Sequence, residues 1–425
     1  MSIGKMKALC ALLIVAPVML VCTLAPSAQA STVVVGTCKT GLTSFMTIQA
    51  AVNAVPAGST IDVCPATYPE QVTINKKLTI LGVESGTSDA AIVVPPNGGL
   101  IQNGTDIFGN PVAAQIFVVG ASGVVISHIT VDGSGNGLSS CTIDPIGIYF
   151  QNSSGTITDD VARNQILGVA DQGCQVGLAI NVESNSGAPM VTISSNSVRN
   201  YQKNGITASG PDTNSGGPDV TVSGNTVIGI GATANIAQNG IQIGYGAQGK
   251  VTGNYVADDI YTGPLYGSSG ILIYASSGIT VTANTVESTQ LAIVPASDTM
   301  DPASGQIITG NHIGGTQTFD AIDLCSNGNT AESNVIYGSA QSGIHLDDSC
   351  GSSNSNTVKN NTINEACAGI LLGTGSNPNI TPNTFFNVVN TTLAGDSCTA
   401  APTLPNKAGG TTEKHQSLRA SPYKR

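Results

Sequence analysis

Short apolar stretches separated by Gly, Ser, Thr and Asn run through most of the chain, and two phrases recur among them. The first phrase is an apolar strand, two small residues, an Asn, one variable residue and an apolar residue. Its copies read VTISSNSV (191–198), VTVSGNTV (220–227), KVTGNYV (250–256), ITVTANTV (279–286), QIITGNHI (306–313), NTAESNVI (329–336) and NTVKNNTI (356–363). Successive copies lie roughly 23 to 30 residues apart, which indicates a repeat architecture.

The second phrase is Gly-Ile-x-apolar, and it alternates with the first. Its copies read GIYF (147–150), GLAI (177–180), GITA (205–208), GIQI (240–243), GILI (270–273), AIDL (321–324), GIHL (343–346) and GILL (369–372). Each repeat is therefore predicted to hold two short strands of alternating character. Turn residues separate the strands so closely that no repeat has room for a convincing helix.

Strands that recur in one order, without helices between them, predict a solenoid of parallel strands. Each turn buries its apolar face by stacking on the next turn. The phrase asparagine is expected to point inward at a bend, where it bonds the backbone and the asparagine of the adjacent turn. The predicted ladder consists of Asn164, Asn196, Asn225, Asn254, Asn284, Asn311, Asn334 and Asn361.

These phrases resemble those of right-handed parallel β-helix repeat proteins, the pectin-lyase-like group, over roughly residues 45–395. The resemblance implies an all-β, single-stranded right-handed parallel β-helix of about a dozen turns. Apolar residues at helical spacing in 45–55 predict a short helix that caps the open end of the solenoid. Because this fold hosts many activities, the resemblance by itself implies no single function.

The two ends of the chain differ from the repeats. Residues 1–30 combine a charged start, an apolar run and Ala28-Gln29-Ala30, and they are predicted to be a secretion signal. The β-helix domain is predicted over 31–395. Residues 396–425 have no apolar period and hold several Lys and Arg, so a disordered basic tail is predicted there.

Ten cysteines are present, and eight remain once the predicted signal is removed. An even number in an exported chain favours disulfides over a metal site, and no CxxC spacing occurs. Proximity in the repeat suggests Cys38–Cys64, Cys141–Cys174, Cys325–Cys350 and Cys367–Cys398. The last two pairings stay open, because Cys350 and Cys367 are also close in sequence.

The formal net charge is −11, with 15 Lys and Arg against 26 Asp and Glu. Such a chain should not attract nucleic acid, and a polyanion would need bridging cations or a local basic patch. After signal removal no membrane insertion is expected. The mature protein is predicted to be a secreted or periplasmic monomer, with polysaccharide as the candidate partner.

Several β-helix families act on polysaccharides, but their complete catalytic motifs are absent. The chain lacks the Arg-x-Pro-x-x-Arg of pectate lyases and shows only the Asp-Asp element of polygalacturonases, at 258–259 and 347–348. Its opening stretch, 45–82, resembles that of pectin methylesterases but without their catalytic segments. The epimerase motif Asp-Pro-His is half present, at Asp144-Pro145.

One group of chemically active residues does emerge from the strand register. Asp323 and His345 occupy the same outward position in AIDL and GIHL, and adjacent turns are about 4.8 Å apart. Asp347 lies two residues further on. The hypothesis is a general acid/base site of Asp323, His345 and Asp347 at the floor of a groove, and the same group is a candidate for a divalent cation such as calcium. The alternative is that these residues form only a solvent-exposed ion pair with no catalytic or binding role.

Three functions remain open from the sequence. The first is a secreted protein that binds or processes an extracellular polysaccharide, as a lyase or hydrolase if it is an enzyme. The second is a non-catalytic structural or adhesive surface protein. The third resembles periplasmic copper-associated β-helix proteins, but Met and His are too few to supply such a site well.

Overall fold

The computed structural model describes residues 29–84, 90–212, 216–264, 267–298, 300–315 and 317–398. Over these residues the chain is a right-handed parallel β-helix, as predicted, and nearly all of its regular structure is strand. The predicted signal 1–30 lies almost entirely outside the described residues, as does the predicted tail beyond Cys398. Within the described ranges, no helix is both long and apolar enough to cross a membrane.

The strands form two continuous sheets, and the larger one comprises two ladders of parallel strands along the axis. The smaller sheet is called the first sheet, and the two ladders are called the second and third sheets. The first contains Thr32–Val35, Ser44–Phe45, Ser59–Val63, Leu78–Gly82, Val124–Ser127, Gly155–Thr158, Met190–Ser194, Asp219–Ser223, Gln248–Thr252, Thr280–Thr282, Ile307–Thr309, Thr330–Glu332, Thr357–Lys359 and Asn379–Ile380. The second contains Ala66–Pro69, Ala91–Val94, Thr130–Asp132, Val161–Gln165, Ser197–Tyr201, Thr226–Thr233, Tyr255–Tyr261, Thr285–Glu287, His312–Gly314 and Thr384–Phe386. The third contains Val72–Ile74, Pro111–Val119, Asp144–Gln151, Leu178–Glu183, Asn204–Ser209, Asn239–Gly244, Ser269–Tyr274, Leu291–Ala296, Ile322–Asp323 and Asn390–Ala394. The long strands Val335–Leu346 and Thr362–Leu372 bend and serve both the second and the third sheet.

Most turns therefore hold three strands, so the prediction of two strands per repeat is wrong for them. The first phrase is a strand, a sharp bend and a second strand, because the residue before the Asn adopts the left-handed conformation. Gly224 before Asn225 has φ +64°, and Ala283 before Asn284 has φ +54°. The bend directs the chain from the first sheet into the second, and the second phrase then forms the third sheet.

A single apolar cluster fills the solenoid from Val33 to Ile370. Each inward residue stacks on its counterpart in the next turn, as Val222 does on Val251 and Ile241 does on Ile271. Because every turn has the same inward set, the core continues without interruption along the axis.

The predicted capping helix is confirmed over Ile48–Ala54. Ile48, Ala51 and Val52 are buried against the first turn of the solenoid. The Thr47 hydroxyl accepts a hydrogen bond from the Ala50 N–H, and the Glu70 carboxylate accepts from the first two helical N–H groups at 2.8 and 2.9 Å. These contacts satisfy donors that the helix cannot pair internally.

The asparagine ladder is present, and Asn225, Asn254 and Asn284 are buried on one line. The Asn225 backbone N–H and its Nδ2 both donate to Asn254 Oδ1, at 2.9 Å each, and Nδ2 also donates to the Ile193 carbonyl at 3.0 Å. The same contacts link the ladder from Asn196 to Asn361. Asn383, which the sequence reading missed, extends it by one further turn.

One predicted ladder member is wrong. Asn164 has φ +63° and lies on the outer side, where its Nδ2 donates to Asp132 Oδ1 at 2.9 Å. Asp160 occupies the ladder position instead: its backbone N–H donates to Asn196 Oδ1, and its Oδ1 accepts from the Ile129 N–H. The spacing explains this, because in GTITDDVA the second Asp stands where Asn stands in VTVSGNTV.

All four predicted disulfides are present, including the two that the sequence left open: Cys38–Cys64, Cys141–Cys174, Cys325–Cys350 and Cys367–Cys398. Each joins one turn of the solenoid to a neighbouring one. Cys398 is thereby tied to the last complete turns, so the chain remains attached to the solenoid beyond the predicted domain end at 395.

Residues 83–120 precede the first copies of both phrases, yet they contain regular strands. Ala91–Val94 pairs with the second-sheet strand Thr130–Asp132, and Pro111–Val119 pairs with the third-sheet strand Asp144–Gln151. Gly104–Thr105 pairs antiparallel with Pro111 and Val112 to form a hairpin. This hairpin, residues 104–112, runs over the outer face of the third sheet.

Candidate functional site

The outer face of the third sheet brings the chemically active side chains together. Its strands begin at a corner where the chain leaves the second sheet, and the phrase glycine lies at that corner. A Cβ on Gly240 would lie 2.4 Å from Val256 Cγ1, and one on Gly270 would lie 2.6 Å from Val286 Cγ1. The glycine thus fixes the corner, and with it the register of the residues that follow.

The outward row of this sheet runs through Tyr149, Asn181, Thr207, Gln242 and Leu272. It continues through Val294 and Asp323 to His345 and Leu371. Ala179 of the second phrase lies outside this row, because Tyr149 pairs with Asn181, two residues further on. Val294 belongs to the row although its strand, LAIVPA, lacks the phrase glycine.

Asp323 and His345 are direct neighbours, as the register predicts. His345 Nδ1 lies 4.0 Å from Asp323 Oδ1 and 3.3 Å from Oδ2 of Asp320. The Ser342 hydroxyl donates to the other Asp320 oxygen at 2.6 Å. Asp320 is therefore the closer partner of the imidazole, although the hypothesis drawn from the sequence named only Asp323, His345 and Asp347.

The predicted groove floor is wrong, because all of these side chains are buried. Asp320, Asp323 and His345 are each 0 % exposed, and Asp347 is 2 % exposed. Asp347 accepts hydrogen bonds from the Ser349 N–H and hydroxyl at 2.8 and 2.7 Å. The side chains do point away from the core, but they lie beneath a cover rather than in an open groove.

Part of that cover is the disulfide between Cys325 and Cys350. Cys325 Sγ and one carboxylate oxygen each of Asp323 and Asp347 lie within 4.8 Å of one another. Cys325 also packs with Tyr274 and Val294 in a separate apolar cluster on the outer side of the sheet. The disulfide therefore braces the group and forms part of the cover that separates it from solvent.

Burial and the neighbouring carboxylates act on His345 in opposite directions. Burial lowers the pKa of the imidazole, whereas Asp320, and after it Asp323 and Asp347, raise it, with a net rise to about 9. In the absence of a bound ion, His345 is thus a charged imidazolium held among carboxylates at neutral pH. The predicted calcium does not fit this group, because calcium takes about six to eight oxygen ligands and the central donor here is a nitrogen.

A group of amide and hydroxyl side chains lies further back along the same face. Asn204 Nδ2 donates to the Thr207 hydroxyl and to Gln242 Oε1, at 3.0 and 3.1 Å. Asn239 Nδ2 donates to Asn204 Oδ1 and to the same Gln242 oxygen. The sequence reading missed this group, although Asn204 and Asn239 both directly precede a phrase glycine.

Three aromatic rings follow this amide group along the face. The rings of Phe108 and Tyr245 lie 6.0 Å apart, and those of Tyr245 and Tyr274 lie 5.4 Å apart, both edge to face. The Tyr274 hydroxyl donates to Asp298 Oδ2 at 2.6 Å. Phe108 and Tyr245 are half-buried, so they keep surface for a ligand. Neither repeat phrase predicts that such distant segments bring these three rings together.

Phe108 reaches this position because the hairpin 104–112 crosses several turns. Gln151 Nε2 donates to the Thr105 carbonyl at 2.7 Å, and the Ile107 N–H donates to Glu183 Oε2 at 3.2 Å. The hairpin is therefore fastened to the third sheet at two successive turns before Phe108 meets Tyr245.

The base of the hairpin contacts an acidic group. Tyr149 donates its hydroxyl hydrogen to Glu183 Oε2 at 2.6 Å, and the Gly177 N–H donates to Asp144 Oδ1 at 2.7 Å. Burial raises the pKa of Asp144 to about 8 and that of Glu183 to about 7, and the charge of Asp106 adds to both shifts. These carboxyls thus hold protons close to neutral pH, which is the property of a general acid.

Residues 178–385 match the sequence family described as a right handed beta helix region. No curated protein matches the chain in sequence. The solved structure of PfbA, a surface adhesin of Streptococcus pneumoniae, is similar with a TM-score of 0.56 and 15 % identity, covering 81 % of this chain and 86 % of that one. The GH136 lacto-N-biosidase from Eubacterium ramulus is similar with a TM-score of 0.56 and 12 % identity, covering 85 % and 67 %. At these identities the likenesses show the fold and leave the activity open.

Proposed function

The chain is a right-handed parallel β-helix repeat protein, and we propose that it is a secreted protein that binds an extracellular polysaccharide along the outer face of its third sheet. Export is supported by four disulfides, which form and persist in oxidising compartments. The two similar structures, an adhesin and a lacto-N-biosidase, agree with a carbohydrate-related role without assigning one.

The observation that carries the proposal is the line of rings Phe108, Tyr245 and Tyr274 beside buried amides. Ligand sites combine apolar or aromatic surface with a few polar groups that fix orientation. A sugar presents the same two surfaces, C–H faces and hydroxyl edges. The Tyr245–Tyr274 contact joins neighbouring turns, which lie about 4.8 Å apart, so the rings follow the solenoid axis and suit a linear chain laid along it.

Binding fits the geometry better than catalysis by the predicted residues. Asp323 and His345 have no exposed surface, so a polymer reaches them only if the covering segments move. Their catalytic role stays a prediction. A non-catalytic adhesive role, the alternative drawn from the sequence, needs only the part of Phe108 and Tyr245 that remains accessible.

A panel of extracellular polysaccharides tests the proposal by affinity electrophoresis and calorimetry. We expect Tyr245→Ala to weaken binding at least about tenfold, the loss of roughly 1.4 kcal/mol of contact. The control is Tyr255→Ala, an exposed tyrosine of the second sheet at 38 % exposure that lies away from the rings. If no polysaccharide binds the parent, or if both variants bind equally well, the proposal is wrong.

Hydrolysis at the acidic group is a second candidate, favoured by the raised pKa values of Asp144 and Glu183. Glycoside hydrolysis needs a general acid that keeps its proton at the working pH and a partner carboxylate that has lost its own. The higher pKa, about 8 against about 7, assigns the acid to Asp144 and the carboxylate to Glu183. Release of reducing ends in the same panel measures turnover. Glu183→Gln should abolish turnover while leaving binding at the rings intact; release that persists in this variant excludes the candidate.

A further inference from the structure

We propose that Asp320, Asp323 and His345 bind one divalent transition-metal ion, with Zn²⁺ as the expected occupant. The ion would lie beneath the outer cover of the third sheet and would hold two adjacent turns together. It would be a structural ion, distinct from the polysaccharide surface formed by the rings.

The three side chains already converge as ligands do. One ligand atom from each lies within 4.8 Å of the others, and all three residues are fully buried. Tetrahedral zinc with bonds of about 2.0–2.2 Å sets its donors about 3.3 Å apart. His345 Nδ1 and Asp320 Oδ2 are already separated by 3.3 Å, and a small rotation of the Asp323 carboxylate closes the 4.0 Å gap to its Oδ1.

The surroundings hold these donors in place. The Ser342 hydroxyl bonds Asp320 Oδ1, which turns Oδ2 toward the imidazole. Asp323 and His345 are fixed by the parallel pairing of their strands, with Ile322 paired to Ile344 beside them. Metal ligands are commonly oriented by such outer hydrogen bonds and rigid elements.

The charges also fit a doubly charged cation. Zinc displaces the proton from His345 Nδ1, so the ion places two positive charges beside the carboxylates of Asp320 and Asp323 where the imidazolium placed one. Asp347, on the far side of Asp323, adds a further negative charge to the same buried region.

The donor set selects the kind of metal. One imidazole nitrogen with carboxylate oxygens suits zinc and its first-row neighbours, whereas calcium and magnesium prefer oxygen throughout. Cys325 lies close by, but its sulfur is bonded to Cys350 and supplies no thiolate. A copper(I) or iron–sulfur occupant is therefore disfavoured.

The test uses the full mature chain with its disulfides intact. Protein is unfolded in chelator, refolded with Zn²⁺, Mn²⁺, Ca²⁺ or no metal, passed through gel filtration and analysed for metal content and thermal unfolding. We expect about one zinc per chain and a higher midpoint with Zn²⁺ than without metal. His345→Gln should lower zinc retention at least about tenfold. The control His312→Gln changes an exposed histidine of the second sheet and should retain zinc like the parent.

Refolding with Co²⁺ gives a readout that does not depend on the variants folding. A visible absorption band from cobalt bound to nitrogen and oxygen is expected in the parent. Retention of Ca²⁺ in place of Zn²⁺ would overturn the assignment. Equal zinc content in the parent and in a folded His345→Gln variant would overturn it too, as would a parent without the cobalt band.

Discussion

Replacing Asp160 by Asn should stabilise the protein. Between Ile129 and Asn383, the described chain has one ladder residue whose side chain is not an amide, and this residue is Asp160. Its Oδ1 accepts from the Ile129 N–H at 2.7 Å, but its Oδ2 is buried and makes no hydrogen bond. Burial raises the pKa of this carboxyl well above the ordinary 3.8, and Asp159 adds to the rise.

The magnitude follows from the next rung of the ladder. Asn196 Nδ2 donates to the Ile157 carbonyl at 3.0 Å and to Asn225 Oδ1 at 2.9 Å. Ile126 pairs with Ile157, so an amide at 160 finds the equivalent acceptors in the Ile126 carbonyl and Asn196 Oδ1. Two added hydrogen bonds at about 0.5–1.5 kcal/mol each predict a gain of roughly 1–3 kcal/mol.

The gain should grow with pH. Because the folded-state pKa of Asp160 is raised, the folded protein binds a proton that the unfolded chain has already lost. Below the pKa that Asp160 has in the unfolded chain, this carboxyl costs the parent no stability. As the pH rises from that value through the folded-state pKa, the free energy of unfolding of the parent falls. Asparagine has no such loss.

Urea unfolding at about pH 5 and about pH 8 measures both effects through the free energy of unfolding. The control is Asp159→Asn, which changes the exposed neighbour and should alter stability by less than about 0.5 kcal/mol. A variant no more stable than the parent at pH 8, or an advantage that does not increase with pH, would show that the ladder account of Asp160 is mistaken.

Two further predictions concern the repeat itself. Asn254→Ala should lower the free energy of unfolding by roughly 1–3 kcal/mol, because it leaves the Asn225 amide without its acceptor inside the solenoid; an unchanged urea midpoint would contradict this. Gly240→Ala should cost about 1–3 kcal/mol, because its Cβ would lie 2.4 Å from Val256 Cγ1. Gly168→Ala is the matched control, with no heavy atom within 4 Å of the new Cβ, and equal midpoints for both glycine variants would refute the corner argument.

The strand register of the candidate group was predictable, but its burial was not. Asp323 and His345 occupy equivalent places in AIDL and GIHL, and the pairing of neighbouring turns follows from that alone. Their burial depends on what lies over the outer face, including the Cys325–Cys350 disulfide and the residues packed with it. A repeat pattern reports which way a side chain points and carries no information about a cover built from loops.

Ladder positions are predicted better by spacing within the repeat than by residue type. Asn164 was chosen because it is an asparagine, whereas Asp160 has the right distance from the strand before it. An Asp can accept the same backbone hydrogen bond as an Asn, so position along the turn is the better guide to this role.

The sequence by itself determined the solenoid, its period, the capping helix and the disulfides Cys38–Cys64 and Cys141–Cys174, because these follow from local patterns repeated in register with the axis; the pairing of the other four cysteines was left open. Only the tertiary structure decided which side chains meet across the outer face. Phe108 contacts Tyr245 from a hairpin that lies more than a hundred residues earlier in the chain. This hairpin is not part of the repeat pattern, so the pattern does not predict it. Residues that converge through irregular loops leave no periodic signal in the sequence. The ring cluster, the amide group and the burial of His345 are therefore seen only in the folded structure.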